Sequence, residues 1–288
     1  MILDGKKLAN HIADKLKYDV AHLKYNNIHP KLIVFTSSDP ASQVYVRNKI
    51  KRAEEIGIEV ETFKVNITKD VLDVLEATDC PFIIQKPSNL FDGAEDTILN
   101  TFKSRDADGF SSSNLGDLLK DGVGTMPCTP MGIIELLRHY EISIEGRDVT
   151  IIGRSNIVGK PLAMMLTNYN ANVTLCHSQT PFDKLIKHCK NADIVISAVG
   201  KYNYLEGWKA NNRQVVVDVG INHVDNELHG DFAKESYENA FAYTPVPGGI
   251  GPMTVIELMR NVVAYYFNVN KIVAQLRYLE KFSNLKET

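Results

Sequence analysis

The run Asp148-Val149-Thr150-Ile151-Ile152 is short, apolar and rich in β-branched residues, and it stops at a glycine. The helix formers Leu162-Ala163-Met164-Met165-Leu166-Thr167 follow it, across the loop Gly153-Arg154-Ser155-Asn156-Ile157-Val158-Gly159-Lys160-Pro161. A buried strand, a Gly-bearing turn and a helix, in that order, constrain the chain to an α/β fold around a parallel sheet. The same order builds an anion site, because the first N–H groups of a helix lack intrahelical partners and point at a phosphate. The glycine spacing here is G-x-x-x-x-x-G, not the common G-x-G-x-x-G. On the loop alone, a phosphate cradle and a tight turn bearing a surface arginine both remain open.

Apolar runs alternate with helical patterns along the whole chain. Strands are expected at Lys31–Thr36, 59–65 and 81–84, with helices at 7–24, 42–56, 69–77 and 94–103. The Gly-, Ser- and Asp-rich segment 106–123 reads as loop, and Thr129-Pro130 opens a helix through about His139, with Pro at a tolerated early position. A second alternation begins at Asp148: strands at 148–152, 172–176, 194–198 and 214–219, helices at 161–169 and 181–189, and a last helix at 254–268. Two α/β units are expected, joined near residues 120–145.

At 288 residues the chain has room for two domains, and its 44% hydrophobic and 23% charged residues are ordinary for a globular protein. A formal net charge of −3 argues against nucleic acid as the main partner. The N-terminus lacks the apolar core of a signal peptide, and no apolar run reaches the ~18 residues of a membrane span. Cys80, Cys128, Cys176 and Cys189 form no CxxC and no metal-ligand spacing with His. Reduced, mostly buried thiols, no structural metal, no membrane partner and a cytoplasmic location are expected.

In the usual dinucleotide fold an acidic residue ends the second strand and holds the ribose 2′-hydroxyl. Here that strand, Asn172-Val173-Thr174-Leu175-Cys176, runs into His177-Ser178-Gln179-Thr180 without a carboxylate. A carboxylate would repel a 2′-phosphate, whereas Arg154 and a serine would bind it through charge-assisted hydrogen bonds. The balance favours NADP over NAD.

Elsewhere, Ser42, Tyr45 and Lys49 share one helix face at i, i+3 and i+7. Tyr45 offers a ring for stacking. Lys49 offers a proton, and an ammonium desolvated near another positive centre would exchange it near neutral pH. Spacing alone does not separate this from a solvated helix with a surface lysine. Gln85 ends an apolar strand, where parallel sheets display ligand contacts, and Asp108 sits in the loop after the next helix. Thr244-Pro245-Val246-Pro247-Gly248-Gly249-Ile250-Gly251-Pro252-Met253-Thr254 reads as a rigid cleft-lining loop able to contain a cis X-Pro bond, with Thr254 as N-cap of the last helix.

Together the stretches ASQVYVRNK, FIIQKP, DADGF, PCTPMGIIELL, IIGRSNIVGKPLAMML, VTLCHSQT, ADIVISAVGK, VVDVGIN and TPVPGGIGPMT resemble, in order and over nearly the whole chain, the bifunctional methylenetetrahydrofolate dehydrogenase/methenyltetrahydrofolate cyclohydrolase family. The resemblance implies an N-terminal α/β folate-binding catalytic domain (1–122 and 254–288, the last helix returning to it) and a Rossmann-like NADP-binding domain (123–253). It implies a homodimer working in one-carbon metabolism, supplying purine biosynthesis. By position, Lys49 matches the catalytic lysine, Tyr45 the ring stacked on folate, Gln85 the glutamine tuning that lysine, and Asp108 the carboxylate on the pterin's amino edge. Pro247, Gly248 and Gly249 match the loop flanking folate and nicotinamide. Gly153, Arg154, Ser155, Ile157, Val158, Gly159, His177, Ser178 and Ile221 match the cofactor site, with Arg154, Ser155 and Ser178 on the 2′-phosphate. Lys86, Ser88, Asn89, Ser111 and Ser112 depart from the family pattern near the folate side, and the stretch between residues 66 and 81 is shorter than usual.

Overall fold

The computed structural model describes residues 1–37, 40–64, 68–86, 94–122, 124–225 and 227–283. Two compact units emerge, one made of Met1–Ile12 with Gly109–Glu257, the other of Ala13–Asp108 with Leu258–Thr288. Two helices, α1 (Gly5–Tyr25) and α9 (Ile250–Ser283), each contribute to both.

The Ala13–Asp108 unit holds a three-stranded parallel sheet of β1 (Lys31–Thr36), β2 (Glu59–Lys64) and β3 (Phe82–Ile84), in the order β2-β1-β3. The helices α2 (Pro40–Ile56), α3 (Thr68–Glu76) and α4 (Glu95–Thr101) connect and flank these strands. The central strand reads Leu-Ile-Val-Phe without alternation because both its faces are covered, and all four residues are buried. Each such side chain contributes about 1.5–3 kcal/mol by leaving water. Arg105 caps α3 by donating from its guanidinium to the carbonyls of Leu75 and Thr78. In α9, the Tyr266 hydroxyl accepts from the Lys31 N–H and donates to the Lys31 carbonyl, both at 3.0 Å, clamping the start of β1.

The other unit is built on five parallel strands: β4 (Asp148–Ile152), β5 (Asn172–Cys176), β6 (Ile194–Ser197), β7 (Val215–Asp218) and β10 (Ala242–Tyr243). Their order is β10-β7-β6-β4-β5. Four further helices belong to it: α5 (Ser112–Leu119), α6 (Cys128–His139), α7 (Gly159–Asn168) and α8 (Phe182–Asn191). A small hairpin pairs β8 (Asn222–Val224) with β9 (Glu227–His229). The sheet edge is extended by the first residues of the chain. Ile2 bridges Tyr243, whose N–H donates to the Met1 carbonyl (3.0 Å) and whose carbonyl accepts from the Leu3 N–H (2.8 Å).

Two expectations need correction. The segment 106–123 is not all loop, because Ser111 caps α5 by accepting from the Asn114 N–H at 3.1 Å. The last helix starts at Ile250 rather than after Thr254, and the Thr254 hydroxyl bonds back to the Ile250 carbonyl (3.2 Å) and to Thr129 (3.0 Å). Cys128, Cys176 and Cys189 are buried and Cys80 is half-buried. Among the described residues no helix is long and apolar enough to cross a membrane, and no cluster of three His, Cys, Asp or Glu side chains could hold a metal.

Candidate active site

Three chain segments converge at the carboxyl ends of β1 and β3. The first turn of α2 is tied to the end of β1 by Gln43, whose side-chain amide donates to Thr36 Oγ1 (3.2 Å) and to the Ser37 carbonyl (2.7 Å). The segment before Asp108 runs along β3, with the Ala107 N–H donating to the Phe82 carbonyl at 3.0 Å. Asn261 of α9 holds that segment by donating to the Ala107 carbonyl at 2.9 Å.

The folding of these segments buries Lys49 and Asp108 and sets their charges 3.9 Å apart, an ion pair too long for a direct hydrogen bond. The charged neighbour of Lys49 is a carboxylate, because Asp108 is carried in beside β3. Tyr45, one turn before Lys49, is half-buried, and burial pushes its hydroxyl above the usual phenol range, so it remains neutral. Gln85 follows β3 and is buried; its side-chain N–H donates to the Lys86 carbonyl at 2.6 Å, while its Oε1 has no hydrogen-bond partner among the described residues. Such an acceptor, buried and unmatched, is poised for a donor. Among the departures, Lys86 pairs with Glu95, Ser111 caps α5 and Ser112 is its exposed first residue. Ser88 and Asn89 lie outside the described residues.

In the other unit, α7 and β5 leave β4 on one side and β6 returns on the other, so the strand order reverses at the β4/β6 gap. Ligands of open α/β sheets bind outside the carboxyl ends of the strands at such a point. The Gly153–Gly159 loop forms one wall of this gap. Gly153 has φ +117° and a Cβ there would lie 2.5 Å from the Ala198 carbonyl oxygen, so glycine is required on both counts. Ser155 Oγ accepts from the N–H groups of Val158 (3.1 Å) and Gly159 (3.4 Å), which fixes the loop and leaves its hydroxyl proton available outward. Arg154 is exposed, Ile157 and Val158 are half-buried, and Gly159 begins α7.

At the end of β5, the backbone N–H of His177 donates to Thr180 Oγ1 (2.9 Å), and its Nδ1 accepts from the Gln179 N–H (3.2 Å). The neutral ring therefore carries its proton on Nε2. Ser178 is exposed, and no carboxylate occupies this turn. Ile221, at the far side of the gap after β7, is 36% exposed. The Pro/Gly segment contains the cis bond Val246-Pro247, and Gly248 accepts from the Lys6 N–H at 2.8 Å.

The sequence pattern of the tetrahydrofolate dehydrogenase/cyclohydrolase catalytic domain matches residues 3–79, and that of its NAD(P)-binding domain matches residues 127–269. A bifunctional protein FolD from Acetivibrio thermocellus is 41% identical over 273 residues, covering 91% of this chain and 95% of the relative. The chain belongs to the tetrahydrofolate dehydrogenase/cyclohydrolase family. The crystal structure of the Campylobacter jejuni bifunctional enzyme FolD superposes with a TM-score of 0.85 at 35% identity, covering 93% of this chain and 99% of that one. The Trypanosoma brucei dehydrogenase-cyclohydrolase, complexed with NADP cofactor and inhibitor, gives 0.84 at 30% identity, covering 93% and 98%.

This member of the tetrahydrofolate dehydrogenase/cyclohydrolase family holds two further buried acids that sequence reasoning missed. Asp218 ends β7 and accepts from the N–H groups of Gly220 (3.0 Å), Asp231 (2.8 Å) and Phe232 (3.0 Å). Burial outweighs those donors, with a smaller push from the Asp231 charge, and the Asp218 carboxyl rises to about 7. Asp218 reads locally as the polar end of an apolar strand and Gly230-Asp231 as a turn, so only the tertiary fold reveals the pair.

Proposed function

We propose that this protein oxidises 5,10-methylenetetrahydrofolate to 5,10-methenyltetrahydrofolate with NADP and hydrolyses that product to 10-formyltetrahydrofolate. The observation that carries this reading is the buried Lys49–Asp108 pair at the strand ends of a chain from this family, in which Gln85 Oε1 is also buried without a partner among the described residues. Tyr45 presents the ring on which the pterin stacks. Asp108 accepts from the pterin's amino edge, and Pro247, Gly248 and Gly249 flank folate and nicotinamide.

The donor set at the β4/β6 gap fits NADP. Arg154, Ser155 and Ser178 surround the place of a 2′-phosphate with no carboxylate to repel it. Gly153, Ile157, Val158, Gly159, His177 and Ile221 complete the cofactor surface. Bound there, NADP supplies the hydride acceptor, and the two nitrogens beside the one-carbon bridge stabilise the cation that forms. Orientation in a dry site is the protein's main contribution to this step. The hydrolytic step requires proton movement, which Lys49 performs with Gln85 Oε1 accepting from its ammonium.

The functional division assigned here is 1–122 with 254–288 for folate and 123–253 for NADP. The protein acts as a cytoplasmic homodimer associated through the cofactor domain, without nucleic acid as partner. A coupled assay with methylenetetrahydrofolate and either NADP or NAD, following reduced cofactor and methenyl absorbance together, tests the proposal. NADP-preferring reduction with little methenyl accumulation is expected; no reduction with either cofactor overturns it.

A further inference from the structure

Asp231 is fully buried and accepts four hydrogen bonds. They come from the Ser197 hydroxyl (2.9 Å), the N–H groups of Val199 (2.8 Å) and Lys201 (2.9 Å), and the Asn222 side-chain amide (3.1 Å). A carboxylate offers about four lone-pair positions, so this one is saturated. It has no acceptor position left for a substrate.

The four donors sit where the cofactor gap is built. Ser197 ends β6, Val199 and Lys201 form the loop after it, and Asn222 opens β8 directly after Ile221. Ala198, inside the loop that Asp231 holds, is the residue against which Gly153 closes from the other wall. Asp231 is itself fixed from below, since its N–H and that of Phe232 donate to Asp218. At the preceding Gly230 a Cβ would lie 1.9 Å from Asp218 Oδ2, so the backbone is pressed onto that carboxylate.

Two consequences follow for the gap. The Val199 and Lys201 N–H groups are engaged and cannot bind phosphate, while Arg154, Ser178 and the start of α7 lie on the β4/β5 side. The β6 wall is left for a ring rather than a phosphate. We propose that Asp231 is a positioning residue that fixes the β6 and β7 loops for the nicotinamide end of the cofactor, without bearing on the adenosine-phosphate end. The inference rests on the NADP reading above.

The test separates the two ends of the cofactor. In Asp231→Asn the amide brings two donors to a place where four already converge, which displaces the loops. NADP affinity by calorimetric titration and the dehydrogenase kcat should each fall by about tenfold or more. Affinity for 2′,5′-ADP, which carries only the adenosine 2′-phosphate end, should be unchanged, as should cofactor-free hydrolysis of methenyltetrahydrofolate. Ser197→Ala removes one donor of four and should show the same split at about two- to fivefold. Equal losses for 2′,5′-ADP and NADP, or parallel loss of both activities, would reduce Asp231 to a fold-supporting residue and overturn the proposal. If Asp231→Asn does not fold, Ser197→Ala decides, and unaltered NADP binding and kcat in that variant overturn it. A wild-type protein that binds neither 2′,5′-ADP nor NADP instead removes the cofactor reading on which the inference stands.

Discussion

The Lys49 ammonium and the Asp108 carboxylate stand 3.9 Å apart, with side-chain exposures of only 10% and 11%. At that separation, with little water, the charges stabilise each other while each keeps hydrogen-bonding capacity for a third group. A pair joined by a short direct bond would have spent that capacity. The relationship is compatible with the two roles proposed above, a proton carried by Lys49 and a substrate amino edge held by Asp108.

Lys49→Met removes the proton carrier and keeps the length of the side chain. Cyclohydrolase turnover is expected to fall about 10²- to 10⁴-fold, with NADP affinity unaltered. Stopped-flow measurement of methenyl decay checks it, and an undiminished decay rate would rule out the role given to Lys49.

Gln85→Leu removes a buried acceptor that makes no hydrogen bond to any described residue. An unmatched acceptor of this kind costs about 1–3 kcal/mol, so the urea midpoint should hold or rise. Methenyl hydrolysis should nevertheless slow by about tenfold as the partner of Lys49 disappears. A loss of stability with unchanged hydrolysis would place Gln85 in the fold rather than in the chemistry.

Arg154→Gln removes the exposed cation of the Gly153–Gly159 loop. A charge-assisted hydrogen bond contributes about 1.5–3 kcal/mol, so KM for NADP should rise about 10- to 150-fold. KM for NAD should barely move. Initial-rate kinetics with both cofactors read this directly, and equal effects on the two would deny a 2′-phosphate contact.

Asp218 gives a pH signature. Its carboxyl ionises near 3.8 when free and at about 7 in the fold, so the native state retains a proton that the unfolded chain has released between those values. The stability this group contributes is fully present below about pH 3.8 and is lost as pH rises through 7, a span that corresponds to at most about 4 kcal/mol. Asp218→Asn abolishes that dependence. Urea unfolding at pH 5 and pH 8 should show the wild type losing stability relative to the variant at the higher pH. A constant difference between the two proteins would contradict the assignment.

Legibility in the sequence followed the range of the forces involved. The strands Lys31–Thr36, Asp148–Ile152 and Asn172–Cys176 were readable to the residue, because local hydrophobic runs end at turn-forming residues. Helix α5 was hidden by Gly116 and a serine-rich start, where only the Ser111 cap marks the entry. The start of α9 was hidden by Gly251 and Pro252, which resemble a break yet sit in a first turn, where proline is tolerated. On the site side, motif positions nominated Lys49, Gln85 and Asp108, but the carboxylate facing Lys49 and the burial of the Gln85 oxygen arise from segments brought together in space. The Asp218 and Asp231 networks depend on the same long-range assembly, so no local pattern announced them.

The edge bridge from Ile2 to Tyr243 also sets an order of events during synthesis. At roughly 5–20 residues per second, the Tyr243 strand leaves the ribosome about 12–48 s after the segment it must pair with. The first residues of the chain therefore wait for their partner while β1, β2 and β3 are already synthesised. The β10 edge and helix α9, which clamps β1 through Tyr266, both reach their early-made partners only late in synthesis.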